Sequence, residues 1–258
     1  MKSMDVKKGL VHIFDSLSKS ISTYDSTSLL SQINQNKTNQ IDPIILDLLN
    51  YSLEFYKASE GMFDPTVQPL AKEWGFLTQN GEWMDTTKLP VLLKKVGMVK
   101  WKWDSSKILE RPEGARIDFN AIAPGYAADV IASFLKNSGC NDFFINNGGE
   151  IVLSGERPDG TDWKIGIVSP AKRNNNNKGD TLYSLSNIAL ATSGNYNNKF
   201  EFNGEVYSHT ISPKTGMPIQ SNLSSSTVLC DKAVRADAYA TVCMTMNKKE
   251  ALKFLKKN

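Results

Sequence analysis

Residues 143–153 read Phe143-Phe144-Ile145-Asn146-Asn147-Gly148-Gly149-Glu150-Ile151-Val152-Leu153, two short apolar runs with paired glycines between them. Runs of this length bounded by turn residues predict strands, and the glycines suit a hairpin connection. They also admit a second reading, close approach of a ligand to backbone that lacks β-carbons. Short apolar runs persist on both sides of this segment. From Val99 onward strands are expected at 101–103, 108–109, 116–119, 143–146, 151–153, 163–168, 182–186, 188–191, 206–211 and 225–229. One helix interrupts them, from Tyr126 through Val130, Ile131, Phe134 and Leu135, with Gly139 beyond its end.

Before Val99 the period changes. Val6, Leu10, Phe14, Leu17 and Ile21 recur at three- and four-residue intervals, which predicts a helix ending near Ser22. Asp42-Pro43 reads as an N-cap and first-turn proline of a second helix through Ile44, Leu48, Leu49, Leu53 and Tyr56, closed by Gly61. A third helical stretch covers 91–96, with Gly97 as its stop. The tail 232–246 has helical spacing that continues to Leu255. The polar tract 173–180, with asparagine at 174–177, cannot fill a core and reads as a mobile loop. The expectation is a single α+β unit over 1–258.

Composition bounds the function. The chain has 258 residues, 40% of them apolar and 9% aromatic, so it is neither disordered nor fibrous. Lys and Arg number 30 against 27 Asp and Glu, a formal charge of +3 with no basic stripe, so nucleic acid is not an expected partner. No run approaches the roughly 20 apolar residues of a membrane span, and Met1-Lys2-Ser3-Met4-Asp5 lacks the apolar core of a signal peptide. Cys140, Cys230 and Cys243 have neither paired nor metal-ligand spacing and read as buried hydrophobes.

Chemistry-bearing residues fall in a few short segments, each with two readings. In Gly61-Met62-Phe63-Asp64-Pro65-Thr66-Val67, Asp64 is a turn and cap residue or part of a site. The segment from Ile117-Asp118-Phe119-Asn120-Ala121 to Pro124-Gly125-Tyr126 turns into a helix, where unpaired N–H groups favour an anion. His209, before Pro213 and Thr215-Gly216, suits either proton transfer or a structural hydrogen bond, and His12 sits within the first helix. Asp237 and Thr241 are four apart, hence on one helix face; a hard cation could use both oxygens, or each could serve its own helix.

Taken in order, these segments resemble the ApbE family of FAD:protein FMN transferases. The pattern runs from Ser22-Thr23-Tyr24, Ser28 and Asn34 through Phe63-Asp64-Pro65-Thr66-Val67 and Trp74-Gly75-Phe76 to Asp118, Gly125-Tyr126 and Asp129. It continues with Gly148-Gly149-Glu150, Thr192-Ser193-Gly194, His209, Pro213, Thr215-Gly216 and Ala236-Asp237-Ala238 with Ala240-Thr241. The resemblance implies an α+β fold related to the T-fold, with FAD in a cleft between interdigitated lobes. It further implies magnesium-dependent transfer of FMN from FAD to a Thr or Ser hydroxyl of an acceptor flavoprotein, releasing AMP.

By the same resemblance, Asp237, Thr241 and the Ala121 carbonyl would hold Mg2+, and His209 would be catalytic. Tyr24, Asn34, Met62, Phe63, Asp64, Asp118, Pro124 and Ile211 would bind FAD. A FAD pyrophosphatase yielding FMN and AMP and a non-catalytic flavin-binding protein are the rival readings; Asn34 occupies a position linked to the balance between transfer and hydrolysis. Pro124 stands where the family often carries a lysine or another polar residue. The family's usual first strand is not visible before Val6, nor are its final strands after the Asp237 helix, as expected of a chain trimmed at both ends. Family members are commonly lipoproteins at the extracytoplasmic face of the bacterial membrane, although cytoplasmic ones exist. Any membrane association here would need an anchor outside this chain.

Overall fold

The computed structural model describes residues 3–75, 84–104, 109–167, 181–195, 199–202, 205–208 and 210–258. Helix α1 (Ser3–Ile21) ends where expected, and the Ser22 hydroxyl accepts from the N–H of Asp25 at 3.1 Å. The short α2 (Leu29–Asn34) escaped the periodicity reading, which needs more turns than it has; Ser28 caps it by accepting from Ser31 N–H at 3.1 Å. Helix α3 (Pro43–Ala58) begins as predicted, with Asp42 accepting from Ile45 N–H at 2.8 Å. Two short helices follow, α4 (Gln68–Glu73) and α5 (Leu89–Leu93). The latter lies earlier than the expected 91–96 because Pro90 fits the first turn of a helix rather than the chain before it.

Beyond it, β1 (Lys102–Trp103) and β2 (Leu109–Glu110) form a small antiparallel pair. Residues 116–119, expected as a strand, belong to no sheet among the described residues. Their partner is a side chain: Asn34 Nδ2 donates to Ile117 O at 2.8 Å and Asn34 Oδ1 accepts from Ile117 N–H at 2.9 Å. One carboxamide thus serves both backbone groups of Ile117, while Asp118 N–H donates to Pro65 O at 2.9 Å.

Helix α6 (Ala123–Asn137) leads into the β3 (Phe143–Asn147) and β4 (Glu150–Ser154) hairpin. Gly148 and Gly149 make the turn at φ of +77° and +126°, values that other residues rarely adopt. Next come β5 (Trp163–Ile167), β6 (Thr181–Leu185), β7 (Ile188–Gly194), β8 (Lys199–Phe202), β9 (Glu205–Ser208) and β10 (Ser225–Cys230). The principal sheet is antiparallel in the order β10-β7-β4-β3, while β5–β6 and β8–β9 are separate hairpins. The chain continues as α7 (Ala233–Met244) and α8 (Lys248–Lys257). These are two helices where the spacing suggested one, since Asn247 and Glu250 form a reciprocal capping box. The expected strand 206–211 is divided between β9 and an isolated bridge from Ile211 to Pro218. Phe76, Ile108, Val168, His209 and the tract 173–180 lie outside the described residues.

Alternation along the strands explains the layers. Phe143, Ile145, Val152 and Ala189 point to one face and pack on Ala128, Ile131 and Ala132 of α6 and Ala233 of α7. Leu153 and Leu190 point to the other and meet Ile165 of β5. Side chains one residue apart leave a strand on opposite faces, so both faces are covered. No described helix is long and apolar enough to cross a membrane.

The largest core cluster lies among α3, α7, α8 and the 115–122 segment, with Phe55 at its centre. Its ring stacks on Tyr51 at 5.9 Å and meets Phe63 and Tyr239 edge-on, each at 5.7 Å. Ten of the twelve residues of α7 are buried, so this helix contacts core on nearly every side.

Helices α6 and α7 are locked by two carboxylates working in opposite directions. Asp129 of α6 accepts from the N–H groups of Ala233 and Val234 at 2.9 and 3.0 Å, serving the unpaired start of α7. Asp237 of α7 in turn accepts from Gly125 N–H, in the first turn of α6, at 3.1 Å. The contact requires glycine: a β-carbon at 125 would lie 2.5 Å from Ala233 O and 2.9 Å from Val234 Cα, both backbone atoms. Gly125→Ala should therefore force the helices apart and destabilise the protein by about 1–3 kcal/mol or more. Asp129→Ala should cost about 1–2 kcal/mol through the lost cap. Urea unfolding of both variants tests this; wild-type midpoints would show that the interlock carries no stability.

Candidate functional site

A cleft of about 350 Å³ opens where α7, the 118–121 segment, the 62–71 segment and the 210–213 loop meet. Its lining includes Met62, Phe63, Asp64, Asp118, Ala121, Ile211, Asp237 and Thr241, all singled out from the sequence. A second hollow of about 580 Å³ is lined by Tyr24 and Pro124, with the C-terminal end of α1 and the β3–β4 turn. Asn120 lines both, so the two cavities adjoin at that residue. Tyr24 is 94% exposed, held at the rim rather than in the wall. Asn34 lines neither cavity; its side chain is committed to Ile117 and so sets the position of Asp118. His209 lies outside the described residues, next to Thr210 of the cleft wall.

The acidic side chains of the cleft differ in how they are partnered. Asp64 Oδ1 accepts from the N–H and hydroxyl of Thr66 at 2.9 and 2.5 Å, and Oδ2 from Met98 N–H at 3.2 Å. Thr66 Oγ1 accepts from Gly97 N–H at 2.8 Å, so this cap also ties the Phe63–Val67 bend to the turn after α5. Burial raises the Asp64 pKa, and the Thr66 and Met98 hydrogen bonds oppose it. Asp118 is likewise raised by burial and held by Asn120, whose N–H reaches Oδ1 at 2.7 Å.

Asp237 is the exception. It is 6% exposed, and the one hydrogen bond to its carboxylate among the described residues comes from Gly125 N–H. Burial, and secondarily the charge of Glu150, push its pKa up to about 8. A buried carboxylate without a cation is an unfavourable arrangement that a bound cation relieves.

Two more oxygens stand by. Thr241 Oγ1 lies 3.2 Å from Ser193 Oγ, on the α7 face that also carries Asp237. Ala121 lies just before Ile122, the N-cap of α6, and lines the cleft. A carboxylate, a hydroxyl and a carbonyl are a donor set that fits a hard cation such as Mg2+. No group of three or more His, Cys, Asp or Glu side chains among the described residues could hold a metal. Any ion at Asp237 would thus take its remaining oxygens from ligand and water.

The cleft's far wall is fastened by a contact that sequence reasoning missed. Trp74 Nε1 donates to Gly216 O at 2.7 Å, joining the Trp-Gly pair after α4 to the Thr-Gly turn of the 210–217 loop. Gly216 itself has φ of +73°, and a β-carbon there would press on Leu89 at 2.6 Å. Both motifs were visible in the chain, but their pairing across 142 residues was not. Other lining residues, Gln68, Thr210 and Thr245, carried no signal that would separate them from ordinary surface or loop positions.

A sequence model of the ApbE family matches residues 2–258. The FAD:protein FMN transferase of Haemophilus influenzae is 30% identical over 257 residues, covering 95% of this chain and 74% of the relative. That of Escherichia coli K12 is 27% identical over 260 residues, covering 97% and 73%. Among solved structures, the flavin transferase ApbE of Vibrio cholerae superposes with a TM-score of 0.88 at 27% identity, covering all of this chain and 83% of that one. The Pseudomonas stutzeri flavinyl transferase ApbE, apo form, reaches 0.91 at 28% identity, over 100% and 81% of the two chains. With the match running over almost the whole chain and the fold in agreement, the chain belongs to the ApbE family.

Proposed function

We propose that this chain is a FAD:protein FMN transferase that moves FMN from FAD to a Thr or Ser hydroxyl of an acceptor protein and releases AMP. The observation that carries the reading is Asp237, a buried carboxylate with a single hydrogen-bond donor among the described residues, in a cleft whose walls come from the segments shared with the family. In the reaction the acceptor hydroxyl oxygen bonds to the FMN phosphorus, and the bond from that phosphorus to the oxygen bridging to AMP breaks. The hydroxyl proton passes to a base, a role assigned to His209 from its place in the family pattern. AMP departs with the bridging oxygen.

Negative charge on the pyrophosphate opposes this attack. Asp237, Thr241 and the Ala121 carbonyl would hold Mg2+, which would supply positive charge against that repulsion. The chain's own contribution is positional: Asp64 fastens its bend to the turn after α5 through Thr66 and Met98, Asp118 N–H donates to Pro65 O at 2.9 Å and so joins the two walls, and the Trp74–Gly216 bond holds the loop after His209. The extracytoplasmic location common in the family belongs to the same proposal.

Incubation with FAD and Mg2+, with and without a candidate acceptor domain, tests the reading through AMP release and acceptor mass. A gain equal to FMN less water, abolished by chelator and by Asp237→Ala, is expected. AMP with free FMN and no adduct would indicate a pyrophosphatase, and bound but unchanged FAD a binding protein. His209→Gln should lower the transfer rate by about 10²-fold or more and alter its pH profile; an unchanged rate and profile would remove the base role.

Metal-free stability offers a separate check. The folded-state pKa of Asp237 lies above its unfolded value of 3.8, so its contribution is fully present below that value and lost as pH rises through about 8. In chelator, wild type should lose stability relative to Asp237→Asn progressively between pH 5 and 8.5, by on the order of 4 kcal/mol over that range. Parallel pH–stability curves for the two proteins would show that burial imposes no such cost.

A further inference from the structure

The Thr192-Ser193-Gly194 motif has no place in the chemistry above. It ends β7, where side chains alternate between the two faces of the sheet. Thr192 is exposed and meets Thr227 of β10, Oγ1 to Oγ1, at 2.8 Å. Ser193 leaves the other face, lines the cleft and puts its Oγ 3.2 Å from Thr241 Oγ1 of α7.

The way Thr241 is engaged sets it apart from other helical hydroxyls of the chain. Ser16, Ser59 and Ser133 donate to the carbonyls of His12, Phe55 and Asp129, four residues earlier, at 2.8, 2.7 and 2.9 Å. Such a bond keeps the oxygen against its own helix. Thr241 makes no bond of this kind to Asp237 O; among the described residues its one side-chain hydrogen bond is to Ser193. Its hydroxyl is thus held across the boundary between helix and sheet, at the cleft that both residues line.

A hydroxyl oxygen that coordinates a cation gives it a lone pair, so its proton must point away and find an acceptor. Ser193 Oγ is the side-chain acceptor within reach of Thr241 among the described residues. Outer partners of this kind fix the orientation of a metal ligand, and losing one costs about 10–100-fold in metal affinity.

We propose that Ser193 is a positioning residue for Mg2+: it accepts the hydrogen bond of the Thr241 hydroxyl and leaves a Thr241 lone pair free for the cation. The assignment rests on the reading of Asp237, Thr241 and the Ala121 carbonyl as the Mg2+ site.

The test follows the rise of Tm with Mg2+ concentration for FAD-loaded wild type, Ser193→Ala and Ser193→Thr, a measure of Mg2+ affinity that needs no acceptor or turnover. Ser193→Ala should require about tenfold more Mg2+ for the same rise. Ser193→Thr keeps the hydroxyl and should follow wild type, while Tm and FAD affinity in chelator hold for all three. If Ser193→Ala does not fold, Ser193→Val against Ser193→Thr, alike in shape and different in the hydroxyl, carries the comparison. Wild-type Mg2+ dependence in Ser193→Ala would overturn the proposal, as would an equal loss in Ser193→Thr. A fall of FAD affinity in chelator would make Ser193 a direct ligand contact and overturn it too. Absence of any Mg2+-dependent rise in wild type would overturn the metal site itself; a wild-type rise with an indifferent Ser193→Ala overturns the Ser193 assignment alone.

Discussion

Everything near the cleft depends on how closely α6 and α7 approach. Gly125 permits backbone contact that any β-carbon would prevent, and the two helices then satisfy each other's exposed amides through Asp129 and Asp237. Helix starts carry unpaired N–H groups and partial positive charge, so a carboxylate delivered from a neighbour both caps and orients them. The same geometry has a chemical by-product. It places Asp237, with Gly125 N–H as its one hydrogen-bond donor among the described residues, where water cannot solvate it.

The site is correspondingly a place of stored electrostatic cost. Asp64, Asp118, Glu150 and Asp237 all have pKa values raised chiefly by burial, and Asp64 and Asp118 offset that with hydrogen bonds from neighbouring groups. Asp237 has one such bond and a second carboxylate acting on it. An arrangement of this kind weakens the free protein, a cost that the proposed cation at Asp237 would relieve. Glu150 enters because the Gly148-Gly149 turn brings the start of β4 to the edge of the second hollow. The glycine pair makes the hairpin turn that its sequence allowed, and Gly148 lines the second hollow.

Local rules carried much of the architecture. The stripe from Val6 to Ile21, the Asp42-Pro43 start and the Gly148-Gly149 hairpin each express a short-range preference that the surroundings did not override. Where the reading slipped, a longer-range partner had intervened. Residues 116–119 have a strand's composition but pair with the Asn34 side chain, and the helical tail splits where Asn247 and Glu250 cap each other. The order of motifs also marked Asp64, Asp118, Asp237 and Thr241 before any geometry was in hand, and they line one cleft.

The sequence by itself thus determined the helices and hairpins with strong local signals, the α+β class, and the family through the order of its motifs. Tertiary structure alone decided what those motifs touch. Asp129 reaches Ala233 across 104 residues, Trp74 reaches Gly216 across 142, and Asn34 turns from the cleft to hold Ile117 across 83. Periodicity and caps report interactions within a few residues of one another, whereas these contacts exist only after packing has brought distant segments together. Packing is also what removes water from Asp237, and a carboxylate's readiness to accept a cation depends on that loss of solvent rather than on its neighbours in the chain.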